Sequence, residues 1–91
     1  MTARAVLVTG GHQRLGKAIA LSLGRQGFDV AISYRSGPDL AQQVVAELRA
    51  QGVRSIAVAA ELTDPVQVRQ LIDQVASEFG HLDAVIASAA S

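Results

Sequence analysis

Apolar residues along this chain change their period at regular intervals. Ala5 to Thr9 is a short unbroken apolar run, AVLVT, of the kind that predicts a strand buried on both faces. From Leu15 to Gln26 the spacing becomes helical, with Leu15, Ala18, Ile19 and Leu23 near one face. A second strand is predicted over Phe28–Tyr34. A second helix follows over Pro38–Gln51, with a stripe of Leu40, Ala41, Val44, Val45 and Leu48. Ser55–Ala59 is a third strand. In the third helix, Pro65–Phe79, Val68, Leu71, Ile72, Val75, Ala76 and Phe79 recur at the helical interval. Ala84–Ser88 is the fourth strand candidate.

The residues between these runs agree with them. Gly27, Gly52 and Gly80 each follow a helical pattern, where a left-handed terminal residue favours glycine. Pro38 and Pro65 suit first helical positions, and Asp64 is placed to cap the third helix. Strands alternating with helices predict an α/β fold with a parallel sheet covered on both faces. Right-handed crossovers then favour a doubly wound, Rossmann-like sheet of four strands and three helices in the order 3-2-1-4. Periodicity alone admits other orders. Residues 1–91 read as part of one such domain.

Bulk composition narrows the function classes. Hydrophobic residues make up 49% of the 91, but aromatics only 3%, so the core must be aliphatic. No apolar run approaches the ~20 residues that span a bilayer, and MTARAVLVTG lacks a signal-peptide layout. Cysteine is absent, which excludes disulfides and thiolate metal sites. The expectation is a cytoplasmic protein with no membrane partner. Net charge is zero but uneven: residues 1–36 hold five cations against Asp29, and residues 37–91 hold three against seven acids. With no basic run and few aromatics, nucleic acid is not an expected partner. A local cationic site near the first turn fits the asymmetry, as does a chance distribution of solvated side chains.

The first turn, TGGHQRLG (Thr9–Gly16), lies between strand and helix. It does not fit the strict G-x-G-x-x-G spacing from Gly10, because His12 and Leu15 stand at the second and third glycine positions. It still opens a helix, whose free N–H groups and dipole attract an anion. Gly10 gives a tight turn and Gly16 allows close approach. The competing reading is that Gly10 and Gly11 only end a strand. In doubly wound sheets ligands sit beyond the carboxyl ends of the strands. There the second strand ends Ser33-Tyr34-Arg35-Ser36. An NAD site usually has an acid at this point. A guanidinium instead suits the 2′-phosphate of NADP, with Ser36 as a further donor. A solvated Arg35 is the alternative. Arg14, at the helix start, can swing toward phosphate. His12 reads as an exposed loop residue, and His81 as a solvated one. Asp64 and Asp83 read as cap and strand-start residues.

With these residues placed, the chain resembles the N-terminal half of a short-chain dehydrogenase/reductase, whose turn is T-G-x-x-x-G-x-G. Thr9, Gly10 and Gly16 match, and Arg14 replaces the middle glycine. Arg14-Leu15-Gly16 and Tyr34-Arg35-Ser36 look like the pteridine reductase and dihydromonapterin reductase branch. The resemblance implies that Gly10, Arg14, Leu15 and Gly16 hold pyrophosphate and that Tyr34, Arg35 and Ser36 select NADP(H). It puts Glu61 and Leu62 near adenine, where the family usually has Asp, and the backbone of Ser88 and Ala89 near ribose. The usual N-N-A-G strand end is lacking, with Ala87 and Ser88 in place of both asparagines.

The resemblance further implies hydride transfer to a C=N or C=O bond of a small-molecule substrate such as a pteridine, and a homo-oligomer for the complete protein. The family's acid–base pair is Tyr-x-x-x-Lys. Here the one tyrosine, Tyr34, has Pro38 four positions on, and the one lysine is Lys17. No catalytic residue is therefore expected in this chain, nor a metal ligand. The apolar fourth strand would be an open edge. The expected function is the cofactor half of an NADP(H)-dependent oxidoreductase, and the alternative is a stand-alone, non-catalytic nucleotide-binding or interaction module.

Overall fold

Strands β1 (Ala5–Thr9), β2 (Asp29–Tyr34), β3 (Ser55–Ala59) and β4 (Ala84–Ala87) form one parallel sheet in the order β3-β2-β1-β4. Between them run helices α1 (Arg14–Arg25), α2 (Pro38–Ala50) and α3 (Pro65–Phe79). The computed structural model describes residues 3–88. Fold class and strand order are those the alternation predicts, and element ends fall within one residue of the expected ones. The helices stop where Gly27, Gly52 and Gly80 take positive φ, and Asp64 caps α3 by accepting from the Val66 N–H at 3.0 Å.

Strand residues alternate between two cores. Val6, Val8, Val30 and Ile32 cluster with Ala20 of α1 and with Ala41, Val44, Val45 and Leu48 of α2. Ala5, Leu7, Ala31 and Val58 cluster with Leu71, Val75 and Phe79 of α3. Burying each of the larger aliphatic side chains contributes roughly 1.5–3 kcal/mol. On β4, Val85 pairs in register with Leu7 but is 49% exposed. The sheet face shared with α3 is thus uncovered beside β4.

Helix α1 departs from its predicted stripe. Leu15 is 68% exposed and Ala18 is exposed, whereas Gly16, Ala20 and Gly24 are buried. A Cβ on Gly24 would lie 2.5 Å from Leu48 Cδ2. Ala20 and Gly24 let α1 and α2 approach closely, while Gly16 faces the Gly10 turn. Lys17 pairs with Glu47 of α2 at 3.7 Å.

The rim where β2 and β3 begin is tied by charge. Asp29, 4% exposed, accepts from the Arg54 N–H and from its guanidinium, each at 2.9 Å. Arg54 Nη2 also donates to the Phe79 carbonyl at 3.2 Å, and the guanidinium covers the Phe79 ring at 5.2 Å. Arg49 donates from Nε and Nη2 to the Ser55 carbonyl. At the start of β4, Asp83 Oδ2 accepts from the Ala5 N–H at 2.8 Å, which agrees with its reading as a strand-start residue. His81 is not a solvated loop residue. Its Nε2 lies 2.9 Å from the Ala3 carbonyl and 3.1 Å from Asp83 Oδ2, joining the chain start to β4. Among the described residues no helix is long and apolar enough to cross a membrane.

Candidate functional site

The carboxyl ends of all four strands meet on the opposite rim, around a cavity of roughly 290 Å³. After β1 it is lined by Gly10, His12 and Gln13. The end of β2 supplies Ser33, Tyr34, Arg35 and Ser36; the segment after β3 supplies Ala60, Glu61 and Leu62; and Ser88 closes the side after β4. Gly10, Tyr34, Arg35, Ser36, Glu61, Leu62 and Ser88 are therefore brought together as the sequence predicts. Arg14 and Leu15 are exposed at the start of α1, outside the cavity lining, and Gly16 is buried behind it. Ala89 lies outside the described residues.

The glycine turn is built by close approach. Gly10 takes a φ of 67° and donates its N–H to the Ser33 carbonyl at 2.9 Å, fixing the turn to the end of β2. A Cβ on Gly16 would collide with the Gly10 carbonyl oxygen and lie 2.9 Å from its carbon. The first turn of α1 therefore rests directly on the turn backbone. Gly11, to which the sequence reading gave no binding role, is equally constrained: its Cβ would stand 2.8 Å from Ile32 Cβ. Arg14 holds φ 49°, a left-handed backbone in a side-chain-bearing residue. That conformation costs roughly 1–2 kcal/mol and explains why the resembled pattern has glycine at this position.

Among the described residues the N-terminus of α1 has no side-chain cap. Its N-cap, Gln13, makes no side-chain capping bond, and the first turn contains no acid, whereas Asp64 serves α3. The opening N–H groups and the positive end of the helix dipole are left for an anion.

His12 corrects another expectation. It is half-buried, with its ring 6.0 Å from that of Tyr34 at a tilt of 60°, and its Cδ2 would be 3.4 Å from a Cβ on Gly37. Its Nδ1 is buried with no hydrogen-bond partner among the described residues. It forms part of the cavity wall rather than a solvated loop. The one signal in the sequence was its place inside the glycine turn.

Charge on the walls is concentrated in two side chains. Arg35 is 76% exposed at its side chain, with Nε 4.0 Å from Glu61 Oε2. The other carboxylate oxygen of Glu61 accepts from Thr63 Oγ1 at 3.2 Å and from the Thr63 N–H at 3.4 Å. The Glu61 N–H donates to Gln67 Oε1 at 2.9 Å. Thr9 Oγ1 accepts from the Ser88 N–H at 3.2 Å and reaches the Ile86 carbonyl at 3.5 Å. This hydroxyl joins β1 to the end of β4, a link otherwise expected from the asparagine side chains that Ala87 and Ser88 lack. Among the described residues no group of three potential metal ligands occurs. A glycine-cradled helix start, an adjoining cavity and an exposed guanidinium fit a phosphorylated nucleotide.

Known proteins with this arrangement are numerous. The short chain dehydrogenase family model matches residues 4–91. The 3-oxoacyl-(acyl-carrier-protein) reductase FabG of Staphylococcus aureus is 38% identical over 86 residues, 94% of this chain and 35% of that protein. The crystal structure of a short chain dehydrogenase from Burkholderia cenocepacia in complex with NADP superposes with a TM-score of 0.89 at 46% identity, over 92% of this chain and 34% of that one. The NADPH-dependent 3-quinuclidinone reductase of Rhodotorula rubra gives a TM-score of 0.85 at 35% identity, over 93% and 32%. The chain thus spans about a third of the length of these relatives.

Proposed function

We propose, from the premise that this chain belongs to the short-chain dehydrogenase family, that residues 1–91 are the NADP(H)-binding part of an oxidoreductase domain. The observation that carries the reading is the position of Arg35. It stands at the end of β2, on the wall of the same cavity as Gly10, where a guanidinium can grip a 2′-phosphate with two donors.

In this reading the N–H groups at the start of α1 hold the pyrophosphate, with Gly10 and Gly16 allowing the approach and Arg14 and Leu15 flanking it. Arg35 and Ser36 hold the 2′-phosphate beside Tyr34. Glu61 and Leu62 border adenine, and the backbone of Ser88 borders ribose. When bound, the cofactor supplies the hydride that reduces a C=O or C=N bond of a small molecule. The resemblance of the Arg14-Leu15-Gly16 turn to that of the pteridine reductases supports a pteridine-like substrate. Hydride transfer also needs a proton donor. Tyr34 has no lysine four positions on, and Lys17 is paired with Glu47, so the 91 residues bind cofactor without turning over substrate. The complete enzyme is proposed as a cytoplasmic homo-oligomer. A second reading is a nucleotide-binding module without catalysis.

Calorimetric titration with NADPH and NADH tests the cofactor reading. Tighter binding of NADPH, lost in Arg35→Asp, is the expected result, and equal affinity for the two nucleotides removes the 2′-phosphate argument. A Tyr-x-x-x-Lys pair encoded downstream of Ser91 in the same reading frame separates the enzyme from the module.

A further inference from the structure

We infer that Glu61 is a specificity-determining residue that holds down the preference for a 2′-phosphorylated nucleotide, an inference that rests on the NADP(H) reading of the cavity. Arg35 follows β2 and Glu61 follows β3, and the two strands are paired to their ends, Tyr34 opposite Ala59. Both side chains line the same cavity. Thr63 fixes one oxygen of the Glu61 carboxylate, and the other oxygen faces Arg35 Nε at 4.0 Å.

Two opposing effects follow from that geometry. A phosphate gripped by Arg35 is brought beside a fixed carboxylate and repelled by it, and the guanidinium is shared between two anions. The pair is exposed enough for solvent and salt to weaken the repulsion, so its effect is moderate, roughly three- to tenfold in affinity. The same carboxylate can accept a hydrogen bond from an unphosphorylated ribose 2′-hydroxyl, the task an acid performs in NAD sites. The cavity therefore holds a cation suited to one cofactor and, within 4.0 Å, an acceptor suited to the other. Glu61 narrows the gap between them.

The test is calorimetric titration of the 91-residue chain and of Glu61→Gln with NADPH and with NADH, at low and at high salt. The amide oxygen of glutamine retains an acceptor for Thr63 while the charge is removed. Glu61→Gln is expected to tighten NADPH roughly three- to tenfold, to leave NADH unchanged or weaker, and to lose most of its gain at high salt. Glu61→Asp, which withdraws the carboxylate by one methylene, is expected to shift the ratio the same way by a smaller factor. NADPH binding with an unchanged or reduced NADPH:NADH ratio in Glu61→Gln overturns the role of Glu61 and leaves the cofactor reading standing. Binding of neither nucleotide by the unmutated chain overturns both.

Discussion

Nε and Nη2 of Arg54 both lie 2.9 Å from Oδ2 of Asp29, a carboxylate almost wholly withdrawn from water. The interaction joins β2 to β3 where both strands begin. Removing the guanidinium leaves a buried charge held by one backbone N–H. Arg54→Ala is expected to destabilise the fold by about 2–3 kcal/mol, less than a fully enclosed pair because Arg54 is half-exposed. Arg54→Lys should recover only part of this, since an ammonium cannot reproduce the forked contact. Urea unfolding of the three proteins measures both losses.

Gly16→Ala should damage site and stability together. The new methyl would strike the Gly10 carbonyl, which is backbone and cannot rotate away. The expected cost is about 1–3 kcal/mol, with NADPH and NADH affinities falling alike because the helix start is displaced. Unchanged binding in Gly16→Ala would separate the turn from the nucleotide site.

Arg14→Gly should do the opposite to the backbone. The left-handed φ at Arg14 is relieved, while the unfolded chain gains freedom, leaving a net stabilisation of roughly 0.5 kcal/mol. The lost cation should weaken both nucleotides by a similar factor, in contrast to Arg35→Asp, which should penalise NADPH alone. Thermal unfolding and paired titrations read the two effects separately.

Thr9→Val keeps the shape of the side chain but removes the hydroxyl that meets Ser88 and Ile86. A loss of about 1 kcal/mol is expected. The Ser88 amide should exchange hydrogen faster, with little change at β3. Uniform exchange across all four strands would show that the hydroxyl does not act locally.

Much of this architecture was legible in the chain. Three glycines, two prolines and Asp64 mark element ends with local backbone chemistry, which depends on few distant partners, so the order and bounds of the elements could be read directly. The cavity walls were legible for a related reason: once strand order is known, Gly10, Tyr34–Ser36, Glu61, Leu62 and Ser88 fall on one rim. The misses were long-range. Leu15 matched a helical stripe, but the face of α1 that turns inward was decided by how closely Gly24 could approach Leu48. His12 and His81 read as solvated because Tyr34 and Gly37 come near the first, and Ala3 near the second, only in three dimensions. The close contact of Gly11 with Ile32 likewise joins residues far apart in sequence.

The Asp29–Arg54 clamp and the cavity proposed to take the nucleotide occupy opposite ends of the same two strands. That separation makes the molecule permissive to change in one direction. On the proposed reading of that cavity, Arg35, Ser36 and Glu61 are open to exchange that retunes ligand choice while the anchorage of β2 to β3 stays in place. A redesign of cofactor preference should therefore begin at the strand ends and leave the strand beginnings alone.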